Sequence, residues 1–143
     1  MKNAILTLLV LLSMTACQSS GSNKSESTES KAAVEAAVDP SVTHVYYIHG
    51  KQRCKTCVAV GEVTKKTVET FYGGNEKVRF IEIKTSEADN EALIEKLGVT
   101  FNALIVAKGD KLTNLTEQAF ATALNNPESL EAKLKETIDS YQQ

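Results

Sequence analysis

Two cysteines three positions apart, Cys54 and Cys57, constrain this chain more than any other feature. They follow an apolar run at residues 42–48 that has the length of a strand, and they open a segment at residues 58–71 with apolar residues at helical spacing. A pair with this spacing at the first turn of a helix can close a disulfide or share a metal ion. The order of strand, cysteine pair and helix favours a thiol–disulfide site.

The first residues have the pattern of an export signal. Lys2 is followed by an apolar stretch at residues 4–12, which is too short to span a bilayer comfortably, and the small residue Ala16 precedes the predicted cleavage site. The stretch 13–17, which ends in Cys17, resembles the box of bacterial lipoproteins, whose cysteine is lipidated and becomes the mature N-terminus. The alternative is an ordinary secretory signal that happens to contain a cysteine. We predict a signal peptide at residues 1–16 and a lipid on Cys17.

Composition divides the rest of the chain into a tether and a domain. Residues 18–30 contain no aliphatic or aromatic side chain, so they cannot bury enough apolar surface to offset the entropy of ordering. We predict a flexible serine-rich tether at residues 17–39 and a folded domain at residues 40–143. The leader and tether together predict a location in the cell envelope of a Gram-negative bacterium, lipid-anchored at the periplasmic face or in the outer membrane.

The charge balance argues against nucleic acid as a partner. The chain has 16 Lys and Arg residues and 18 Asp and Glu residues, a net charge of −2, whereas nucleic-acid binders normally show a basic excess. No second apolar stretch is long enough to cross a membrane, so the predicted membrane contact is the lipid on Cys17. An exported cysteine pair meets an oxidising compartment and drifts to the disulfide unless a partner reduces it.

Apolar patterning predicts an α/β domain. Strands are predicted at residues 44–48, 78–83, 103–107 and 111–115. The first two crossovers predict parallel pairing, and the turn at residues 108–110 predicts a hairpin with an antiparallel edge. Tyr46 and Tyr47 are expected to divide between the core and the surface.

The helices carry start signals and apolar stripes. Ser86 and Thr116 are predicted N-caps, and Pro127 is predicted to be the first residue of the last helix. The predicted buried stripes include Phe71, Leu93, Leu97, Leu124, Leu130, Leu134 and Ile138.

This order of elements resembles the thioredoxin fold over residues 41–143. The resemblance implies a three-layer sandwich in which a central, mixed four-stranded sheet carries helices on both faces. The stretches 49–57 and 115–121 are also similar to exported thioredoxin-like proteins called the ArsF family, or nitrophenyl compound nitroreductase subunit. Membership of that family implies an accessory redox protein that works with a membrane permease or reductase.

The two cysteines have different expected roles in thiol–disulfide exchange. Cys54 lies at the predicted helix N-terminus, where unpaired N–H groups and the helix dipole stabilise a thiolate, so we expect it to attack a partner disulfide. Cys57, one turn deeper, resolves the mixed disulfide. Lys51, Arg53 and Lys55 are expected to lower the pKa of the Cys54 thiol and to raise the reduction potential of the pair. No cofactor is predicted.

Two positions depart from the pattern of cytosolic thioredoxins. Ile48 stands where those proteins carry a buried acid that assists proton transfer from the second cysteine. Residues 100–103 correspond to the loop that carries a cis-proline facing the cysteines, yet the prolines of this chain are Pro40 and Pro127. Both departures argue against general protein reduction. They favour a dedicated thiol or disulfide partner, such as a membrane electron-transfer protein or permease.

Three other interpretations of the cysteine pair stay open. Cys54 and Cys57 could form a structural disulfide, although so short a loop stabilises little. The thiolates could instead bind Cu(I), Zn(II) or arsenite in a non-catalytic accessory protein, with His49 as a third ligand. The domain could also be a redox-inert interaction module.

Overall fold

The strand that precedes the cysteine pair lies inside a four-stranded sheet. The computed structural model describes residues 39–143. Its strands are β1 (Thr43–His49), β2 (Val78–Lys84), β3 (Ala103–Lys108) and β4 (Lys111–Asn114). Its helices are α1 (Lys55–Tyr72), α2 (Glu91–Lys96), α3 (Thr116–Thr122) and α4 (Pro127–Gln142), with a 3-10 helix at Ala88–Asn90 directly before α2.

The sheet has the strand order β2-β1-β3-β4. β1 and β2 are parallel, with Val45 opposite Phe80. β3 is antiparallel to both β1 and β4, with Val106 opposite Val45 and Thr113. The hairpin turn at Gly109 has a φ of 57°, a left-handed conformation that glycine adopts without steric cost. The predicted mixed four-stranded sheet is therefore confirmed.

The prediction that the second crossover joins parallel strands is wrong. β2 ends where Lys84 pairs with His49, and β3 begins where Ala103 pairs with Ile48. The connection thus starts and finishes at the same end of the sheet, so β3 runs in the opposite direction to β2. The six-residue α2 spans about 9 Å whereas the seven-residue β2 spans about 23 Å, so this helix does not return the chain to the end of the sheet where β2 begins.

Side chains of β1 alternate between two apolar clusters on opposite faces of the sheet. Val45 and Tyr47 belong to the larger cluster, with residues of α1, α3 and α4. Tyr46 and Ile48 belong to the smaller cluster, with residues of α2. Helices therefore cover both faces, as predicted, and all seven residues of β1 are buried. The expectation that one of the two tyrosines lies at the surface is wrong, because both faces of β1 are covered.

Two predicted helix caps are replaced by other contacts. The residue before α2 is Asn90, and the predicted cap Ser86 lies ahead of the intervening 3-10 helix. Thr116 is the first residue of α3, and its Oγ1 accepts a hydrogen bond from the Leu104 N–H at 3.1 Å. The threonine hydroxyl therefore ties α3 to β3 and does not cap its own helix.

The predicted apolar stripes are correct for α4 and partly wrong elsewhere. Pro127 begins α4, as predicted, and the side chain of Asn126 caps the helix. Three stripe residues of α4 are fully buried, namely Leu130, Leu134 and Ile138. Phe71 is 44% exposed while its neighbour Tyr72 is buried, and Leu124 is 53% exposed. The buried side of α1 ends with Tyr72 and not with Phe71, and Leu124 lies beyond the last residue of α3.

The predictions for the N-terminal part of the chain lie outside the described residues. They comprise the signal peptide at residues 1–16, the lipid on Cys17 and nearly all of the tether at residues 17–39. Within residues 39–143, none of the helices has both the length and the apolar character needed to cross a membrane.

Burial predicts how strongly α4 stabilises the domain. Replacing the fully buried Leu134 by alanine should reduce the free energy of unfolding by about 2–5 kcal/mol, because it removes transfer energy and leaves a cavity. The half-exposed Leu124 is the matched control, and Leu124→Ala should change stability by no more than about 0.5 kcal/mol. Denaturant unfolding measures both values. Equal losses in the two variants would contradict the described packing of α4.

Candidate thiol–disulfide site

Cys54 caps the N-terminus of α1. Its backbone is extended, with φ −74° and ψ 167°, and its Sγ accepts a hydrogen bond from the Cys57 N–H at 3.1 Å. The first turn of α1 contains no acidic residue that would oppose the positive end of the helix dipole. The sulfur of Cys54 therefore lies where an anion is stabilised, as the sequence predicts.

The two cysteines form a disulfide, with 5.0 Å between their Cα atoms. Cys54 is exposed, whereas Cys57 is only 3% exposed. An outside thiol or disulfide can therefore reach Cys54, while Cys57 is available chiefly to its neighbours in the fold. This difference in access supports the predicted roles of attacking and resolving cysteine.

Tyr47 links the end of β1 to the first turn of α1. Its hydroxyl donates a hydrogen bond to the carbonyl oxygen of Cys57. Burial raises the pKa of the Tyr47 hydroxyl above its usual value, although the neighbouring Arg53 opposes this shift. The phenol therefore stays protonated at neutral pH and remains a donor. This role is not predictable from the sequence, because nothing in a strand pattern shows which helix carbonyl a tyrosine will reach.

A small charged cluster lies beside the pair. Glu82 Oε1 is 3.1 Å from Arg53 Nη1 and 2.8 Å from His49 Nε2; the second contact is within ion-pair distance but is not aligned as a hydrogen bond. The Arg53 guanidinium also lies 5.3 Å from the centre of the Tyr47 ring, which stacks on the His49 ring. Parallel pairing of β1 and β2, which places Glu82 opposite Tyr47, brings these groups together.

The cluster changes what the basic residues can do for Cys54. Arg53 shares its charge with Glu82, so its effect on the sulfur is partly offset by a carboxylate. Lys51 and Lys55 are exposed on either side of the cysteine, and Lys55 is the first residue of α1. Their predicted effect on the pKa of the Cys54 thiol stays a prediction.

Asn102 contacts the buried sulfur from the loop before β3. Its Nδ2 lies 3.6 Å from Cys57 Sγ, and its Oδ1 accepts a hydrogen bond from the Gly50 N–H at 3.0 Å. The sequence matches this loop, residues 100–103, to the proline loop of thioredoxins. No peptide bond within residues 39–143 is cis. Ile48, which the sequence matches to the buried acid of thioredoxins, is fully buried in the apolar cluster on the α2 face. Position in the loop is the one sequence signal that could have identified Asn102.

The structure does not bring His49 to the cysteines as a third metal ligand. Its Nδ1 lies 2.8 Å from the carbonyl oxygen of Gly50, and its Nε2 faces Glu82. Across residues 39–143, no three or more His, Cys, Asp or Glu side chains are grouped so that they could hold a metal ion. The alternative ligand set of Cys54, Cys57 and His49 therefore has no geometric support.

Comparison with known proteins agrees with the described architecture. No family model and no curated protein sequence matches the chain. The crystal structure of Trxlp, a thioredoxin-like protein from Edwardsiella tarda EIB202, is similar with a TM-score of 0.52 and 11% identity, over 73% of this chain and 91% of that one. A structure described as a malarial protein is similar with a TM-score of 0.41 and 17% identity, over 52% of this chain and 80% of that one. The similarity to Trxlp confirms the predicted thioredoxin-like fold.

Close packing at Gly61 predicts that alanine is not tolerated there. A Cβ atom at this position would lie 2.6 Å from Arg53 Nη2 and 2.7 Å from Tyr47 Cε1. Alanine would normally stabilise a helix interior relative to glycine by about 1 kcal/mol. Here we expect Gly61→Ala to destabilise the domain by about 1–3 kcal/mol, because the buried Tyr47 ring cannot move aside freely.

Thermal or denaturant unfolding measures the effect of Gly61→Ala. Glu62→Ala is the control, because it places alanine at an exposed site in the same turn and should leave stability within about 0.5 kcal/mol of the wild type. A more stable Gly61→Ala variant would show that α1 does not approach β1 as closely as described.

Proposed function

We propose that this chain is a thiol–disulfide oxidoreductase of the bacterial cell envelope that serves a dedicated redox partner. The observation that carries the proposal is the pairing of an exposed Cys54 at a helix N-terminus with a buried Cys57. A thioredoxin-like fold with its cysteine pair at disulfide distance supports the redox part of the proposal.

The exchange reaction uses the two sulfurs in turn. In the reduced chain, the Cys54 thiolate attacks a disulfide of the partner, forms a mixed disulfide and releases one partner thiolate. The Cys57 thiolate then attacks Cys54 Sγ, which closes the Cys54–Cys57 disulfide and releases the second partner thiolate. Two electrons pass from the chain to the partner, and the two cysteine protons pass to solvent. The reverse sequence oxidises a partner dithiol.

The loop opposite the cysteines supports a selective partner. The loop lacks the proline of general thioredoxins, and Phe101 in it is 79% exposed directly beside Asn102, which contacts Cys57. A large apolar side chain at the edge of a reactive site offers surface that a matching protein would bury. We propose a membrane electron-transfer protein or permease as the partner, since an exported dithiol needs a supply of electrons to stay reduced.

The location is proposed from the sequence. A signal peptide at residues 1–16, a lipid on Cys17 and a tether at residues 17–39 would hold the domain at the periplasmic face or in the outer membrane of a Gram-negative bacterium. The resemblance of residues 49–57 and 115–121 to the ArsF family supports an accessory role beside a membrane permease or reductase.

Trapping of the mixed disulfide tests the proposal. In the Cys57→Ser variant the resolving thiolate is missing, so Cys54 should accumulate in mixed disulfides with one or a few envelope proteins. Non-reducing electrophoresis of cells that express the full chain detects these adducts, and reductant should dissolve them. The Cys54→Ser, Cys57→Ser double variant is the control and should form none. If the single variant captures nothing and the wild type exchanges no thiols with a model disulfide such as oxidised glutathione, the oxidoreductase proposal fails.

A further inference from the structure

The carboxamide of Asn102 has a fixed orientation at the cysteine pair. The Gly50 N–H is a donor, so it requires the oxygen end of the carboxamide, and the Asn102 Oδ1 accepts from it at 3.0 Å. His49 Nδ1 lies 2.8 Å from the carbonyl oxygen of the same glycine, which holds Gly50 at both of its polar groups. The Nδ2 end of Asn102 must then face Cys57 Sγ, at 3.6 Å. A hydrogen-bond donor is therefore aimed at the buried sulfur.

The surroundings of Cys57 make such a donor useful. Cys57 is 3% exposed, so a thiolate at this site is largely without water, and an unsolvated charge is costly. The backbone N–H of Cys57 donates to the sulfur of Cys54, so it does not serve the Cys57 sulfur. Ile48 fills the position of the thioredoxin acid and packs on the opposite face of the sheet. Asn102 Nδ2 is a neutral side-chain donor that the structure places within hydrogen-bond distance of the Cys57 sulfur.

We propose that Asn102 is a catalytic residue that donates a hydrogen bond to the Cys57 thiolate during thiol–disulfide exchange. This inference rests on the proposed function. As Cys57 attacks Cys54 Sγ, the Cys54–Cys57 bond forms, the bond from Cys54 to the partner breaks, and the partner sulfur leaves with the electron pair. Solvent takes the proton of the Cys57 thiol beforehand, and Asn102 keeps both of its amide protons. In the reverse direction the same donor stabilises Cys57 as the leaving thiolate.

Titration of Cys57 tests the hydrogen bond directly. The full chain carrying Cys17→Ser and Cys54→Ser has Cys57 as its single thiol, and thiolate formation is followed by ultraviolet absorbance against pH. Asn102→Leu removes the donor, so it should raise the pKa of the Cys57 thiol and lower the thiolate fraction at neutral pH by about tenfold. Asn102→Asp keeps an oxygen for the Gly50 N–H but places a carboxylate beside the sulfur. It should raise the pKa of that thiol as well.

The leucine variant tests donation without the added charge of the aspartate, whose carboxylate raises the pKa of a neighbouring thiol whether or not Asn102 donates. A Cys57 thiol that titrates in Asn102→Leu as it does in the parent chain would overturn the proposal. Asn125→Leu, a change at an exposed asparagine far along the chain, is the control and should leave the titration unchanged.

Kinetics with a chromogenic disulfide supply the second test. The reduced chain carrying Cys17→Ser is mixed with dithiobis-nitrobenzoate, which releases one thionitrobenzoate when Cys54 attacks and a second when Cys57 resolves the adduct. In Asn102→Leu the second phase should slow about threefold at neutral pH. The Cys57 thiolate is about tenfold rarer in this variant, but each thiolate is about threefold more nucleophilic because its pKa is higher. Well above the pKa of the Cys57 thiol, the same variant should be about threefold faster than the parent.

The two phases distinguish failure of this inference from failure of the proposed function. A normal first phase with a second phase that Asn102→Leu leaves unchanged at both pH values refutes the role of Asn102 alone. A parent chain that releases no thionitrobenzoate refutes the oxidoreductase itself. General distortion of the site by the substitution would slow the second phase at every pH, so it would not produce a crossing of the two pH profiles.

Discussion

The contact between the end of β1 and the first turn of α1 is the one on which the site depends. Tyr47 donates from the strand to the carbonyl of Cys57, and Gly61 lets the helix lie directly against the Tyr47 ring and Arg53. This contact fixes the depth of each sulfur, with Cys57 buried and Cys54 exposed at the helix N-terminus. The roles that we propose for the two cysteines follow from their depth, because an outside sulfur can reach Cys54 and the fold surrounds Cys57.

Charges around the pair are more balanced than a loop rich in basic residues suggests. Arg53 is held between Glu82 and the face of Tyr47, and Glu82 also meets His49. The positive field that the structure places at Cys54 is therefore that of the helix N-terminus, and an effect of Lys51 and Lys55 stays a prediction. At the buried sulfur the polarity comes instead from a neutral amide, Asn102, where thioredoxins use an ionisable group. A neutral donor stabilises a thiolate without taking up a proton itself.

Much of this arrangement was predictable from local sequence pattern. The cysteine pair, the strand before it, the helix after it and the apolar stripe of α4 depend on short-range sequence pattern, and the structure confirms them. The direction of β3, the partners of Glu82 and the contact of Asn102 depend on residues 29 to 63 positions apart in the chain. Periodicity carries no information on such distant pairings. The predicted cap at Thr116 failed for a related reason, since its hydroxyl accepts instead from the backbone N–H of Leu104 on β3.

The reduction potential of the Cys54–Cys57 couple tests the central claim most directly. The full chain carrying Cys17→Ser is equilibrated in thiol–disulfide buffers of graded potential, and the fraction of dithiol is measured by alkylation. We predict a single, reversible two-electron transition between about −300 and −120 mV, the range of cysteine pairs that work in thiol–disulfide exchange. A pair that stays oxidised at potentials below about −300 mV would be a structural disulfide, and that result would contradict the account.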